Sequence, residues 1–530
     1  MKFIFILFLS FFSFCSAKDV IAAEKINIKF EEMSIPLTID QLLNLENYKD
    51  DSTEVIDWFK QNGFLKVFEI SKFLKFPVFK EESLNRQVLR SWVGRKILSE
   101  LSNTILVPND KDGIKVFNTI ESLLEVKNEV STLDILKALP SEEISLDIDN
   151  LILIISSWKK ELAKQQSLNL KLKSLEKTNN SFSKKKIYKG DSDLIKINKK
   201  IYSPHRGEPL KIELWKNKKT KSNKDLVIFM PGLGGNIDNF RWIGIELSKR
   251  GWPVLFIDHE GSNSEAFLEV IEGTNSIPTS ADFFLYRIKD LDAVIKAHNN
   301  GKLGLANDSY ILMGHSLGAL IAFLYEGDLP KDEFEKRCDL ALKDFAITNL
   351  SKLLQCQLNE ISLPEIINSK KANGIIGFNS FGSLIWPNEK NSGIEIPVLL
   401  IGGTYDLITP LISEQFKVFL STTNNPLNRF LIIEGSSHFS PIRINDKYSE
   451  NIENNDIFKI NKSFIGSNPY SFQNLSLKVI VEFLENIKIN ESIKVIKNQT
   501  ESNLDFHLLD RKTLKAVSYT HLTLPTKRIV

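Results

Sequence analysis

Two textures of hydrophobic patterning divide the chain. From about Lys25 to Leu162, apolar residues recur at spacings of three and four, the period of an amphipathic helix, as in LNRQVLRSWVGRKILSEL, GIKVFNTIESLLEVK and LDIDNLILIISSWKKELAKQ. Thr38 and Asp40 are cap candidates ahead of QLLNL, and Gly63 is a helix-stop signal after STEVIDWFKQN. This pattern predicts a small all-α domain over residues 25–165. The stretch KTNNSFSKKKIYKGDSD is polar and rich in Lys, Asn and Ser, and it predicts a linker over 166–189.

From about Ile195 the period changes. Short apolar, β-branched runs end in turn residues and alternate with longer helical patterns: LVIFMPG, WPVLFIDHEGS, SYILMGHS, GIIGFNSFG, IPVLLIGGTYD and RFLIIEGSSHF. Such alternation predicts βαβ units, hence a mostly parallel sheet with helices on both faces over 190–490. The near-continuous apolar strands fit burial on both faces of that sheet. A charged helical insertion over 328–373 separates SYILMGHS from GIIGFNSFG. Residues 491–516 read as a polar C-terminal tail. VSYTHLTLPTKRIV (517–530) breaks the Lys/Asn/Ile bias and reads as a translated sequencing adapter, a non-native tail.

Composition narrows the picture. The chain has 530 residues, enough for two or three domains, with 42% hydrophobic and 25% charged residues. A net charge of +2 gives no nucleic-acid footprint, which needs a strong basic bias on one face. The first 17 residues run from one Lys through an apolar stretch to Cys15-Ser16-Ala17, the order of a secretory signal. Cleavage after Ala17, or alternatively after Ala23, predicts an exported protein, periplasmic or extracellular. Of the three cysteines, Cys15 leaves with the signal. Cys338 and Cys356 remain, either as a disulfide or as two buried thiols. Clustered His/Cys spacing for zinc is missing, so neither metal nor cofactor is expected.

The candidate chemistry begins with ILMGHSLGAL, in which Gly314-His315-Ser316-Leu317-Gly318 is a G-x-S-x-G pattern between a strand-like and a helix-like run. A serine on a strained strand-to-helix turn needs small neighbours two places before and after, which Gly314 and Gly318 supply. Ser316 is the candidate nucleophile. Seven histidines are available as its base: His205, His259, His298, His315, His438, His507 and His521. In this architecture the chain order is Ser, acid, His, which leaves the last three. His438 lies in a loop straight after a strand and ahead of the last helix. His507 reads as part of the tail, and His521 falls in the adapter-like segment. His438 is therefore the candidate base. Asp406, at the end of IPVLLIGGTYD, is the acid that precedes it. Asp332, Asp339 and Asp344 read as solvated positions in the insertion, and Asp446 is out of order. The oxyanion requires two backbone N–H donors, for which Leu317 and Leu233, in FMPGLGGN, are the candidates. A phosphate-binding loop is the competing reading of FMPGLGGN, but its Lys-Ser/Thr is missing.

The order PGLGG, DHEGS, GHSLG, GGTYD, GSSHF resembles the α/β-hydrolase fold. Within it, the chain is similar to the platelet-activating-factor acetylhydrolase and predicted dienelactone hydrolase group. The oxyanion loop of that group is His-Gly-Leu-Gly, and Pro231 to Gly234 match it with Pro231 in place of the His. Asp258, His259, Gly261 and Ser262 match its next loop, with Glu260 where Pro is common. Dienelactone hydrolases use a Cys nucleophile, so Ser316 points away from that activity. The two-part layout resembles an uncharacterised cyanobacterial α/β-hydrolase family.

The resemblance implies a serine esterase acting on a carboxylic ester, with a short acyl group or a lipid or phospholipid. It also implies that the insertion, as a lid, caps the site and shapes an acyl pocket. Phe381, Leu384 and Trp386, after the next strand, are either lining candidates for an apolar pocket or ordinary core residues. A thioesterase or amidase with the same triad is the enzymatic alternative. A binding protein on a hydrolase fold, its N-terminal domain recruiting a partner or touching a membrane surface, is the non-enzymatic one.

Overall fold

A computed structural model describes residues 25–30, 33–39, 77–80, 102–110, 113–127, 129–180, 182, 193–218, 223–265, 282–329, 332–343, 350–363, 371–387, 392–443 and 469–519. The proposed signal segment and the helical patterns LNRQVLRSWVGRKILSEL and STEVIDWFKQNG lie outside these residues. The chain divides into two compact units, 1–153 and 154–530.

The first unit is not all-α. β1 (Lys25–Phe30) pairs antiparallel with β2 (Met33–Thr38), and β3 (Pro77–Lys80) precedes β4 (Ile105–Leu106). Then follow α1 (Ile114–Val126), β5 (Glu129–Ser131), α2 (Thr132–Ala138), β6 (Glu143–Asp147) and α3 (Ile148–Ser174). The strands β2-β1-β6-β4 make a four-stranded sheet, and β3 pairs with β5. The sequence of β1, KINIKF, alternates polar and apolar residues, and Ile26 and Ile28 enter a core with Val116, Ile120, Leu124 and Ile135 from the helices. A period of two therefore runs through the stretch assigned above to helix. α2 starts with a capping box in which Ser131 and Asp134 satisfy each other's backbone N–H.

α3 begins in the first unit and ends in the second, and its residues 166–174 occupy part of the expected linker as helix. Beyond it, Thr178 and Asn180 bond to the backbone of Lys497 and Val495, and Phe182 stacks on Phe506. The described part of the segment thus packs as structure, because its polar side chains reach backbone partners.

The second unit is built on a ten-stranded sheet. Its elements are β7 (Leu194–Ile201), β8 (Leu210–Asn217), β9 (Leu226–Met230), α4 (Arg241–Lys249), β10 (Val254–Ile257), α5 (Asp282–Asn299), β11 (Tyr310–His315) and α6 (Leu317–Glu326). α7 (Phe334–Lys343) and α8 (Leu350–Cys356) form the insertion. The remainder is β12 (Ile375–Phe378), β13 (Val398–Gly403), α9 (Phe416–Ser421), β14 (Arg429–Ile433), α10 (Pro469–Ile489), β15 (Ile496–Glu501), β16 (Leu504–Leu509) and α11 (Arg511–Tyr519).

The strand order is β15-β16-β14-β13-β12-β11-β9-β10-β8-β7. From β10 through β14 all neighbours are parallel, and every residue of those six strands is buried. The antiparallel edge strand β7 carries four Lys and Asn residues, and polar and charged side chains on an edge strand discourage further pairing. The chain passes from β9 to β10 on one side and then to β11 on the other. That topological switch opens a crevice at the carboxyl ends of β9 and β11. α6 is buried at every position from Leu317 to Tyr325 and fills the space behind this crevice.

Two further expectations change. Residues 491–516 are not a tail: β15 and β16 form a hairpin that adds to β14, and α11 follows. Ser502 and Asn503 both have positive φ, 51° and 62°, the conformation of a two-residue hairpin turn. Val517 to Tyr519 continue α11, with Val517 buried, so the texture break falls inside a helix. Residues 520–530 lie outside the described ones. In the insertion, Cys338 and Cys356 are joined across 5.4 Å between Cα atoms. Among the described residues, no helix is long and apolar enough to cross a membrane.

Candidate active site

The turn after β11 is where local strain and packing coincide. Ser316 has φ 52° and ψ −118°, a region that costs a non-glycine residue about 1–3 kcal/mol. Its N–H donates to the Phe378 carbonyl at 2.9 Å, and its own carbonyl accepts from Leu320 N–H at 3.0 Å, so the neighbouring strand and α6 hold the turn. A Cβ at Gly314 would stand 2.3 Å from the Gly318 carbonyl carbon, and one at Gly318 would stand 2.0 Å from the Met230 carbonyl oxygen. Both contacts are with backbone and cannot be relieved by a rotamer change. Gly318→Ala is therefore expected to force α6 away from β9, costing about 3 kcal/mol or more. Thermal melts check this against Gly207→Ala, whose Cβ meets nothing within 4 Å and which should melt like the wild type.

The acid follows β13. Asp406 is fully buried and surrounded by donors. Oδ1 accepts from Ile408 and Thr409 N–H at 3.0 and 2.8 Å, closing an Asx-type turn. Oδ2 accepts from Asn379 Nδ2 at 2.7 Å, Thr409 Oγ1 at 2.6 Å and Gln415 Nε2 at 3.0 Å. Burial alone would raise its pKa. The adjacent His438 and the bonds from Thr409 outweigh that, so the carboxylate lies below its ordinary 3.8.

His438 sits in the turn after β14, which Gly435 enters at φ 74°. Its Nδ1 lies 3.0 and 3.2 Å from the two Asp406 oxygens. With Nδ1–H donating to the carboxylate, Nε2 is left with its lone pair, as a base requires. The loop is tied to the elbow by His315, whose Nε2 donates to the His438 carbonyl at 2.9 Å while the two rings lie 4.8 Å apart. Among the described residues no hydrogen bond joins the Ser316 hydroxyl to the His438 ring. Such bonds often close only when substrate is bound.

The loop after β9 completes the constellation. Gly232 lies against the elbow: a Cβ there would be 3.2 Å from Ser316 Cβ. Gly234 N–H donates to Ser262 O and Gly235 N–H to Gly232 O. Leu233 N–H makes no backbone bond among the described residues. Leu317 is the first residue of α6, so its amide belongs to the unpaired donors of a helix start. Of the five residues expected at the site, Ser316, Asp406, His438 and Leu233 stand in loops or turns that follow strands of the sheet, and Leu317 opens α6 straight after Ser316. Phe381 and Trp386 are different: both are fully buried, and Trp386 packs on Phe323 and donates to the Asp328 carbonyl. They belong to the core, and only Leu384 of the three is partly exposed. Among the described residues no three His, Cys, Asp or Glu side chains cluster as metal ligands.

Sequence reasoning missed the supporting side chains. Asn379 and Gln415 carry no motif, since they meet Asp406 only through the tertiary fold, whereas Thr409 reaches it locally through the Asx-type turn. Arg287 and Asp290 had a signal: in DFFLYRIKDLDAVI they share the buried stripe of α5 with Phe283, Phe284, Ile288, Leu291 and Val294. Asp290 gathers Arg206 at 2.6 Å, His205 at 2.8 Å and His259 at 2.9 Å.

Burial lowers the pKa of His259 to about 4 and that of His315 to about 3, from an ordinary 6.5. The unfolded chain binds protons below pH 6.5 that these two folded rings refuse. Their contribution is therefore complete above pH 6.5 and is lost as pH falls toward 4 and then 3. The melting temperature should drop between pH 7 and pH 4.5, and His259→Gln should flatten part of that drop. An equally steep fall in the variant would count against it.

Comparison with known proteins agrees with the architecture. Residues 22–147 match the family model described as alpha/beta hydrolase of unknown function (DUF1400). Residues 221–336 match the model described as serine aminopeptidase, S33, a span that takes in the loop after β9 and the Ser316 elbow. No curated protein matches the chain. Fold and matches together make this chain a hydrolase of the α/β-hydrolase fold, of the serine type in general.

Proposed function

We propose that the chain is an exported serine hydrolase that cleaves carboxylic esters through an acyl-enzyme, with Ser316, Asp406 and His438 as its triad. The observation that carries this reading is the buried Asp406–His438 pair, tied through His315 to the strained Ser316 turn. In the reaction, Ser316 Oγ adds to the ester carbonyl carbon and its proton passes to His438 Nε2. The carbonyl electron pair moves onto oxygen, where the Leu233 and Leu317 amides receive the charge. The intermediate collapses, and the leaving alcohol takes the proton from His438. Water then repeats the sequence on the acyl group. Asp406 holds the imidazole in the right tautomer throughout.

The acetylhydrolase-like substrate, a short-acyl ester or a lipid or phospholipid, rests on the motif order, and export rests on the N-terminal apolar run. The insertion bearing the Cys338–Cys356 bridge acts as the lid. Arg337 donates to the Leu384 carbonyl, and Gln355 Nε2 to Glu414. The match to a serine aminopeptidase model favours amide cleavage as the second reading. Labelling with a fluorophosphonate probe, followed by peptide mapping, tests the nucleophile. Rates on p-nitrophenyl acetate, butyrate and a long-chain ester, on a phospholipid and on an amino-acid p-nitroanilide test the substrate. Labelling at Ser316 with acetate preferred supports the proposal, and turnover confined to the anilide replaces it with the amidase.

A further inference from the structure

Arg287 is an unusual residue to find where it is. It projects from α5 into the interior and is 1% exposed, yet among the described residues none of its hydrogen bonds goes to a carboxylate. All four of its bonds go to two loops at the site. Nη1 donates to the Pro231 carbonyl at 2.6 Å, and Nη2 to the Gly232 and Ser262 carbonyls, both at 3.0 Å. Nε donates to Ser262 Oγ at 2.8 Å. The Ser262 carbonyl also accepts from Gly234 N–H at 2.9 Å, so the loop after β9 and the loop after β10 are fastened together around one guanidinium. Burial lowers the Arg287 pKa only to about 9, which leaves it charged at neutral pH. The nearby carboxylate, Asp290, is shared among Arg206, His205 and His259.

The consequence follows from the planarity of the peptide unit. In a trans peptide the C=O and the N–H point in opposite directions. Gripping the Gly232 carbonyl therefore sets the direction of the Leu233 N–H, away from Arg287. Gly232 itself lies close to the nucleophile, since a Cβ added to it would stand 3.2 Å from Ser316 Cβ. The Pro231 grip does the same for the peptide before it. The chain guanidinium, carbonyl, amide is also cooperative: a cation on the carbonyl side polarises the N–H on the other.

We propose that Arg287 is the positioning residue of the oxyanion loop. It presets the Leu233 amide so that no peptide has to rotate when charge develops on the substrate oxygen. This rests on the reading of Ser316 as nucleophile and Leu233 as oxyanion donor. Arg287 touches no reacting atom. Its effect should appear in kcat, where the oxyanion forms, and not in ground-state binding.

Arg287→Met and Arg287→Lys test the proposal in the full-length chain. Losing one oxyanion donor costs about 10²–10³-fold in kcat, so Arg287→Met should fall in that range with KM within about threefold of wild type. Arg287→Lys keeps the charge but not the fork, and should fall between the two. The rate of fluorophosphonate labelling should fall in parallel, because the phosphoryl oxygen uses the same amides. Amide hydrogen exchange at Gly232–Gly235 should rise at least tenfold in the variants while exchange in α6 stays unchanged.

The exchange arm needs no turnover. If the wild type shows no Ser316-dependent hydrolysis, the nucleophile reading fails, and loop exchange alone judges the clamp. If Arg287→Met does not fold, Arg287→Lys and Ser262→Ala carry the test. Folded variants with wild-type kcat, or with unchanged exchange at Gly232–Gly235, would overturn the proposal. So would a loss confined to KM.

Discussion

Ser316→Ala should lower kcat on p-nitrophenyl acetate by a factor on the order of 10⁴–10⁶, and should abolish fluorophosphonate labelling. The size follows from the role. Without the hydroxyl no acyl-enzyme forms, and the imidazole and the amide donors can act only on a water molecule that nothing has positioned. A residual rate above background would reflect those amides. The change should leave the fold intact, since the Ser316 side chain makes no capping hydrogen bond to α6. Melting temperature should stay within about 2 °C of wild type, which separates lost chemistry from lost structure. A variant that folds and keeps a tenth of the activity would remove Ser316 from the mechanism.

Asp406→Asn should have the second-largest effect, about 10⁴-fold in kcat. An amide facing His438 Nδ1 can present its NH₂, which favours the tautomer with the proton on Nε2. That tautomer cannot take the serine proton. Stability should fall too. The carboxylate accepts from Asn379, Thr409, Gln415 and two backbone N–H groups, and an Asn cannot accept all of these while turning an NH₂ toward the same cluster. Removing one partner from a buried charged network costs about 3–5 kcal/mol.

The pH dependence has a definite sign. The folded pKa of Asp406 is depressed, so the stability it contributes is present above its unfolded value of 3.8 and is lost as pH falls through the folded value. The stability gap between wild type and variant should be full at pH 7 and narrow below about pH 4. Urea denaturation at pH 7, 5 and 3.5 checks this, and a constant gap would mean that the variant does not act through the carboxylate charge.

The central sheet was legible because its strands have no polar face. LVIFM and VLFI are apolar and buried at every position, and a run with that character reads the same from sequence as from structure. The triad candidates were legible for a related reason. Each follows such a strand directly, so knowing where the strand ends locates the side chain. The first unit was misread where strands are short and half-exposed. The alternation in KINIKF covers only six residues, and longer helical patterns outweighed it. The C-terminal hairpin was missed because its turn is Ser502-Asn503, which lacks the glycine that usually announces one.

By itself, then, the sequence determined the alternation of strand and helix, the glycine-flanked turn at Ser316 and the chain order of serine, acid and histidine. These are local properties, written in the spacing of apolar residues and in the steric demands of a tight turn. Only the tertiary structure decided what surrounds those groups. Asn379 and Gln415 converge on Asp406 from beyond its own turn, His315 reaches the backbone of His438, and Arg287 crosses from α5 to the loop after β9. The physical reason is that a buried charge or amide must find its partners wherever the chain returns. Sequence spacing carries no information about which distant segment will supply them.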